Sequence, residues 1–241
     1  MSKTSKSSKT ENEMVELKET PVKMPLPKLK TKLAREWAAR YGDGIYRFAR
    51  DIIGEATFRS RTWTEDLRAI GGMRESLADH RSDIAAHAIL SALIRETLGQ
   101  QIDWKKLAIM IGVHDLLYEA KFGTDFTPPI KRKMTEVGIT KNLLDKFFLR
   151  VANSSCSGLP IFLTKTLLGL ARESEEMRSI EAQILREADC IAEMVQIDEW
   201  KESGLSSSFL ETLNKMITRT EAGGLKSSPY ILAFLSGRQR E

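Results

Sequence analysis

From Thr31 onward the apolar positions recur every three or four residues, and no stretch alternates convincingly at the two-residue spacing of a strand. Leu33, Trp37 and Tyr41 define a first helical stripe, which Gly42-Asp43-Gly44 is expected to stop. Ile45, Phe48, Ile52 and Ile53 define a second helix, ending near Gly54 or Phe58. Residues 59–64 read as a loop around Trp63, and Gly71-Gly72 breaks the short run from Leu67 to Ile70. Ser76 caps a helix carrying His80, Ile84, Ala88 and Ser91, with Ile89, Leu93 and Ile94 filling its other buried positions. Asp103 starts a helix expected to run from Leu107 to Tyr118.

After a polar loop at Thr124 to Ile130 comes a short basic helix, then a helix marked by Leu143, Leu144, Phe147, Phe148 and Val151. Asn153 to Gly158 ends that helix, and Pro160 to Ala171 forms the next. The long run from Met177 to Trp200 carries an apolar stripe of Ile184, Leu185, Ala188, Ile191, Ala192 and Val195, with Asp189 on its border facing the core. Residues 206–220 and Pro229 to Leu235 complete an all-α pattern with no internal repeat.

Ahead of this pattern, residues 1–30 are rich in Lys, Ser, Thr and Glu and then carry Pro21, Pro25 and Pro27. They read as a disordered basic and polar arm preceding one helical domain over 31–241. The net charge of +4 owes part of its excess to this arm, which allows a weak nucleic-acid or protein contact there without arguing strongly for one. The two cysteines, Cys156 and Cys190, have neither the spacing of a zinc site nor the number of a disulfide framework. No run approaches the roughly 18 apolar residues of a membrane span, and the start lacks a signal peptide's apolar centre. The expectation is a cytoplasmic protein with no membrane contact, nuclear residence and homo-oligomer formation being left open.

All three histidines, His80, His87 and His114, fall between Ser76 and Asp125. His114-Asp115 follows the apolar run Leu107 to Val113, so an imidazole and a carboxylate enter the core together and need partners there. A divalent metal is the partner that suits both groups, and His80, His114, Asp115 and Asp189 would supply two imidazoles and two carboxylates for one such ion.

The surrounding text falls into four ordered blocks: Ser76-Leu-Ala-Asp-His80; His114-Asp115 with Glu119; Gly123-Thr-Asp125-Phe-Thr-Pro-Pro-Ile-Lys131; and Glu187-Ala-Asp189 followed by Asp198-Glu-Trp200. In these blocks, over about residues 73–200, the chain resembles the HD-domain metal-dependent phosphohydrolase superfamily, and within it the YfbR-like 5'-deoxynucleotidases. The resemblance implies an HD-type helical bundle with extra N-terminal helices, and His80, His114, Asp115 and Asp189 as ligands of one Mn, Co, Zn, Fe or Mg ion. It places Glu119 and Asp125 in acid/base or positioning roles, near the leaving oxygen of a nucleotide substrate. Arg74, Lys131 and His87 are the candidate substrate contacts; the plainer reading of His87 is a core histidine satisfied by a neighbour. Glu119 lies one residue later than the family pattern has it, and Thr124 interrupts the Gly-Asp pair. The implied activity is metal-dependent hydrolysis of (deoxy)nucleoside monophosphates. The alternative is an HD-like scaffold without turnover that binds nucleotide, RNA or a protein partner.

Overall fold

A computed structural model describes residues 31–54, 76–117, 134, 136–204, 210–211, 214–215, 225 and 228–238, and the fold is all-α. The arm expected over residues 1–30 lies outside the described residues, as do Arg74, Glu119, Asp125 and Lys131. Among the described residues seven α-helices follow in order: α1 (Thr31–Phe48), α2 (Leu77–Thr97), α3 (Trp104–Val113), α4 (Lys141–Ser155), α5 (Ile161–Glu175), α6 (Ile180–Glu202) and α7 (Pro229–Arg238). Short polar side chains start four of them. Asp103, Thr140 and Ser179 each accept a bond from a first-turn amide of α3, α4 and α6. At α2 the exchange is reciprocal: the Ser76 hydroxyl accepts from the Asp79 amide, and the Asp79 carboxylate accepts from the Ser76 amide, each at 3.1 Å.

Helix α6 is the centre of the bundle, packed most extensively against α2 and also against α3, α5 and α7. Its residues Ala182, Ile184, Leu185 and Ala188 meet Ile84, Ala88 and Ala92 of α2 and Leu107 and Met110 of α3. Further along, Ile191, Met194, Ile197 and Trp200 pack with Leu210, Tyr230 and Ile231. A helix buried around so much of its circumference belongs in the interior, and each fully buried Ile or Leu there contributes about 1.5–3 kcal/mol.

Two expectations about the elements are corrected. Gly42 and Gly44 do not stop the first helix, which runs through both and passes into a π-helical turn, Ala49–Gly54. Gly44 is glycine for contact: a Cβ there would stand 1.8 Å from the backbone oxygen of Gly158 in the turn between α4 and α5. Ile89 and Leu93 do not face the core either, being 49% and 48% exposed. The face of α2 that meets α6 is lined instead by Ala88, Ser91 and Ala92, small residues that let the two backbones approach closely. Periodicity finds an apolar stripe but does not say which of two stripes is covered.

Polar bonds then fix the helices to one another. Glu187, fully buried on α6, accepts from Ser91 Oγ at 2.6 Å and pairs with Arg95, both on α2. Removing one member of a buried ion pair strands the other charge, typically at a cost of about 3–5 kcal/mol. Lys106 of α3 pairs with Glu173 of α5 and Glu181 of α6, and Arg238 of α7 pairs with Asp198 of α6. Among the described residues no helix is long and apolar enough to cross a membrane.

Candidate metal centre

Three helices bring His80, His114 and Asp189 together. His80 sits in the first turn of α2, where the Ser76 cap fixes the helix start, and is 1% exposed. Asp189 lies midway along α6, on the face turned toward α2. His114 terminates α3, immediately after the apolar run that buries that helix. One ligand atom from each of the three lies within 4.8 Å of the others. His80 Nε2 is 3.2 Å from Asp189 Oδ1, and His114 Nε2 is 3.6 Å from the same oxygen. Ligands that each stand about 2.0–2.1 Å from one ion are themselves roughly 3–3.5 Å apart, so these separations suit a shared ion.

The chain turns sharply at the next residue. Asp115 has φ +55°, and the amide of Leu116 bonds to the carbonyl of His114 at 2.6 Å, forming a γ-turn centred on Asp115. Asp is among the side chains that tolerate this left-handed backbone, at a cost of about 1–3 kcal/mol that tends to be kept at functional sites. The expected unbroken helix from Leu107 to Tyr118 therefore ends at Val113. Asp115 Oδ2 reaches His114 Nε2 at 3.2 Å but does not join the group of three convergent ligands.

Charge within the site is strongly coupled to burial. Burial opposes a protonated His114, but the Asp115 and Asp189 carboxylates outweigh it and hold the imidazole above its ordinary pKa. Burial likewise opposes ionised Asp189, but contacts from His114, His80 and Arg186 overcome it and hold the carboxyl well below its ordinary range. His114 Nε2 is nonetheless buried without a hydrogen bond of good geometry among the described residues, despite the two nearby carboxylates. A buried polar atom in that position is costly unless something else satisfies it. A divalent ion coordinated through Nε2 would do so, and two imidazoles with a carboxylate form a donor set for Mn, Co, Zn or Fe. The residues present thus fit a metal.

His87 is elsewhere. Its Nδ1 is 2.7 Å from the Tyr230 hydroxyl at the contact between α2 and α7, and burial lowers its pKa. The structure therefore joins it to a neighbour in the fold, not to the His80 group. Two residues not singled out from the sequence do reach the site. Arg186 Nη1 donates to Asp189 Oδ2 at 2.9 Å, and its place three residues before Asp189 on one helix could have pointed to it. Arg81, directly after His80, extends toward the end of α3; nothing in the sequence distinguishes it from any helical arginine.

The fold and this geometry define an all-α bundle with a buried three-ligand cluster at the meeting of α2, α3 and α6. No family model matches the chain, and comparison with curated proteins by sequence gives no match. Among solved structures, the chain is similar to the crystal structure of the PH0347 protein from Pyrococcus horikoshii OT3, with a TM-score of 0.55 and 24% identity. That likeness covers 82% of this chain and 98% of the other, and it concerns the fold alone.

Proposed function

We propose that this chain is a metal-dependent phosphohydrolase acting on nucleotides, a 5'-nucleotidase on (deoxy)nucleoside monophosphates. The observation that carries the reading is the convergence of His80, His114 and Asp189 from three separate helices, with Asp115 against His114. The four ordered sequence blocks that resemble the HD-domain phosphohydrolases support the class of substrate. One divalent ion, held by His80, His114 and Asp189, would supply Lewis acidity and a water of lowered pKa. The chain's own contribution is to hold these donors in a buried, fixed arrangement. Glu119 and Asp125 take the proton-handling and positioning roles that the resemblance gives them.

The test uses full-length protein purified without chelator. Elemental analysis should find close to one divalent ion per chain. Phosphate release should follow addition of nucleoside monophosphates with Mn, Co or Mg, and stop with chelator. Protein that retains no metal under any of these conditions would sink the reading. Metal-loaded protein inert toward both mono- and triphosphates would instead support the non-catalytic scaffold that binds nucleotide, RNA or a protein partner.

A further inference from the structure

The Asp189 carboxylate is divided between two kinds of partner. Oδ1 faces the two imidazoles, and Oδ2 accepts from Arg186 Nη1 at 2.9 Å. The Arg186 side chain is 36% exposed, so its guanidinium reaches from a buried carboxylate out to solvent. From α2, Arg81 is half-buried and lays its guanidinium toward the end of α3, with Gly112 O at 3.4 Å and Leu77 O at 3.3 Å. Both contacts are at the long end of hydrogen-bond range and use two of the five donors that a guanidinium offers. Burial disfavours the Arg81 charge and lowers its pKa, and the nearby Asp115 carboxylate only partly offsets this. Arg186 thus stands against the cluster's carboxylate, and Arg81, next to His80 in the chain, reaches the end of α3 two residues before His114.

Charge balance gives this arrangement a direction. Among the described groups, Asp115 and Asp189 offset Arg81 and Arg186, so one divalent cation would leave this set with two positive charges before Glu119 and Asp125, which lie outside the described residues, are counted. That excess complements a phosphomonoester, which carries close to two negative charges at neutral pH. The planar guanidinium also matches a phosphoryl group's oxygens in a way an ammonium does not.

We propose that Arg81 and Arg186 form an anion clamp beside the metal centre, holding the phosphoryl group of a phosphomonoester against it. The clamp rests on the metal-dependent reading above and assigns substrate contacts within the described residues. A purely structural account competes with it: Arg81 would neutralise the last carbonyls of α3, and Arg186 would only hold Asp189.

Inorganic phosphate titrated calorimetrically into Mn-saturated full-length protein separates the two accounts, with metal occupancy measured in parallel. Arg81→Gln and Arg186→Gln should each weaken phosphate binding by about ten- to a hundred-fold at unchanged metal occupancy. Arg81→Lys and Arg186→Lys should recover part of the loss, because the charge remains while the planar fork is gone. Should Arg81→Gln fail to fold, Arg81→Lys and Arg186→Gln carry the test. Phosphate affinity unchanged in metal-loaded variants overturns the clamp and leaves the hydrolase reading standing. Affinity lost only in proportion to metal also overturns it, in favour of the structural account. Wild-type protein that takes up no metal overturns both.

Discussion

At the scale of single residues, the two aspartates of the site differ in what their oxygens reach. Asp189 presents one oxygen to both imidazoles and the other to Arg186, whereas Asp115 reaches His114 and stands outside the group of three convergent ligands. Asp189→Asn should therefore abolish high-affinity metal binding. Asp115→Asn should weaken it by about 10–100-fold, the range usual for groups that orient a ligand. Competition with a chromophoric chelator measures both, and equal losses would place Asp115 among the direct ligands after all. His80, His114 and Asp189 could be singled out from the sequence because the three histidines fall in one stretch, Asp189 borders an apolar stripe, and their ordered blocks resemble the HD-domain pattern. That Asp115 stands outside the group of three, on a left-handed backbone at a non-glycine residue, could not be read from the sequence. Arg81 and Arg186 were hidden for another reason: arginines on helices are common, and only their contacts, to Gly112 O and to Asp189, separate these two from the rest.

At the scale of elements, helix identity follows from periodicity and caps, and Ser76 and Asp103 start α2 and α3 as their side-chain chemistry requires. What periodicity misses is contact between elements. Two glycines in α1 look alike in sequence and differ in space: a Cβ on Gly44 would collide with the Gly158 backbone, while one on Gly42 would have nothing within 4 Å. Gly44→Ala should destabilise the protein by about 1–3 kcal/mol through overpacking against an unyielding backbone. Gly42→Ala should instead stabilise it by up to about 1 kcal/mol, since alanine is the better helix former. Urea unfolding of the two variants reads this difference, and matching effects would mean that α1 does not cross the Gly158 turn at contact distance. The same limit explains the exposed Ile89 and Leu93: the covered face of α2 is the one with small residues, and only its partner helix reveals that.

At the scale of the whole molecule, the candidate ligands tie together segments that are distant in the chain, so metal binding and folding should be linked. An ion that binds the folded chain and not the unfolded one stabilises it by about 2.7 kcal/mol at a hundred times its dissociation constant. For a chain of this size each kcal/mol raises the melting temperature by about 2–4 °C, giving an expected rise of about 5–10 °C on adding Mn, Co or Zn and the same fall on adding chelator. Asp189→Asn should show no such shift. Its metal-free melt will differ from wild type for a separate reason, because the substitution removes the carboxylate that balances Arg186 and bonds to His80. The decisive quantity is therefore the metal-induced change within each protein, not the difference between them. A wild-type melting temperature indifferent to all three ions would mean that His80, His114 and Asp189 form a hydrogen-bonded core cluster, and that helix packing and the interhelix ion pairs hold the bundle without a metal.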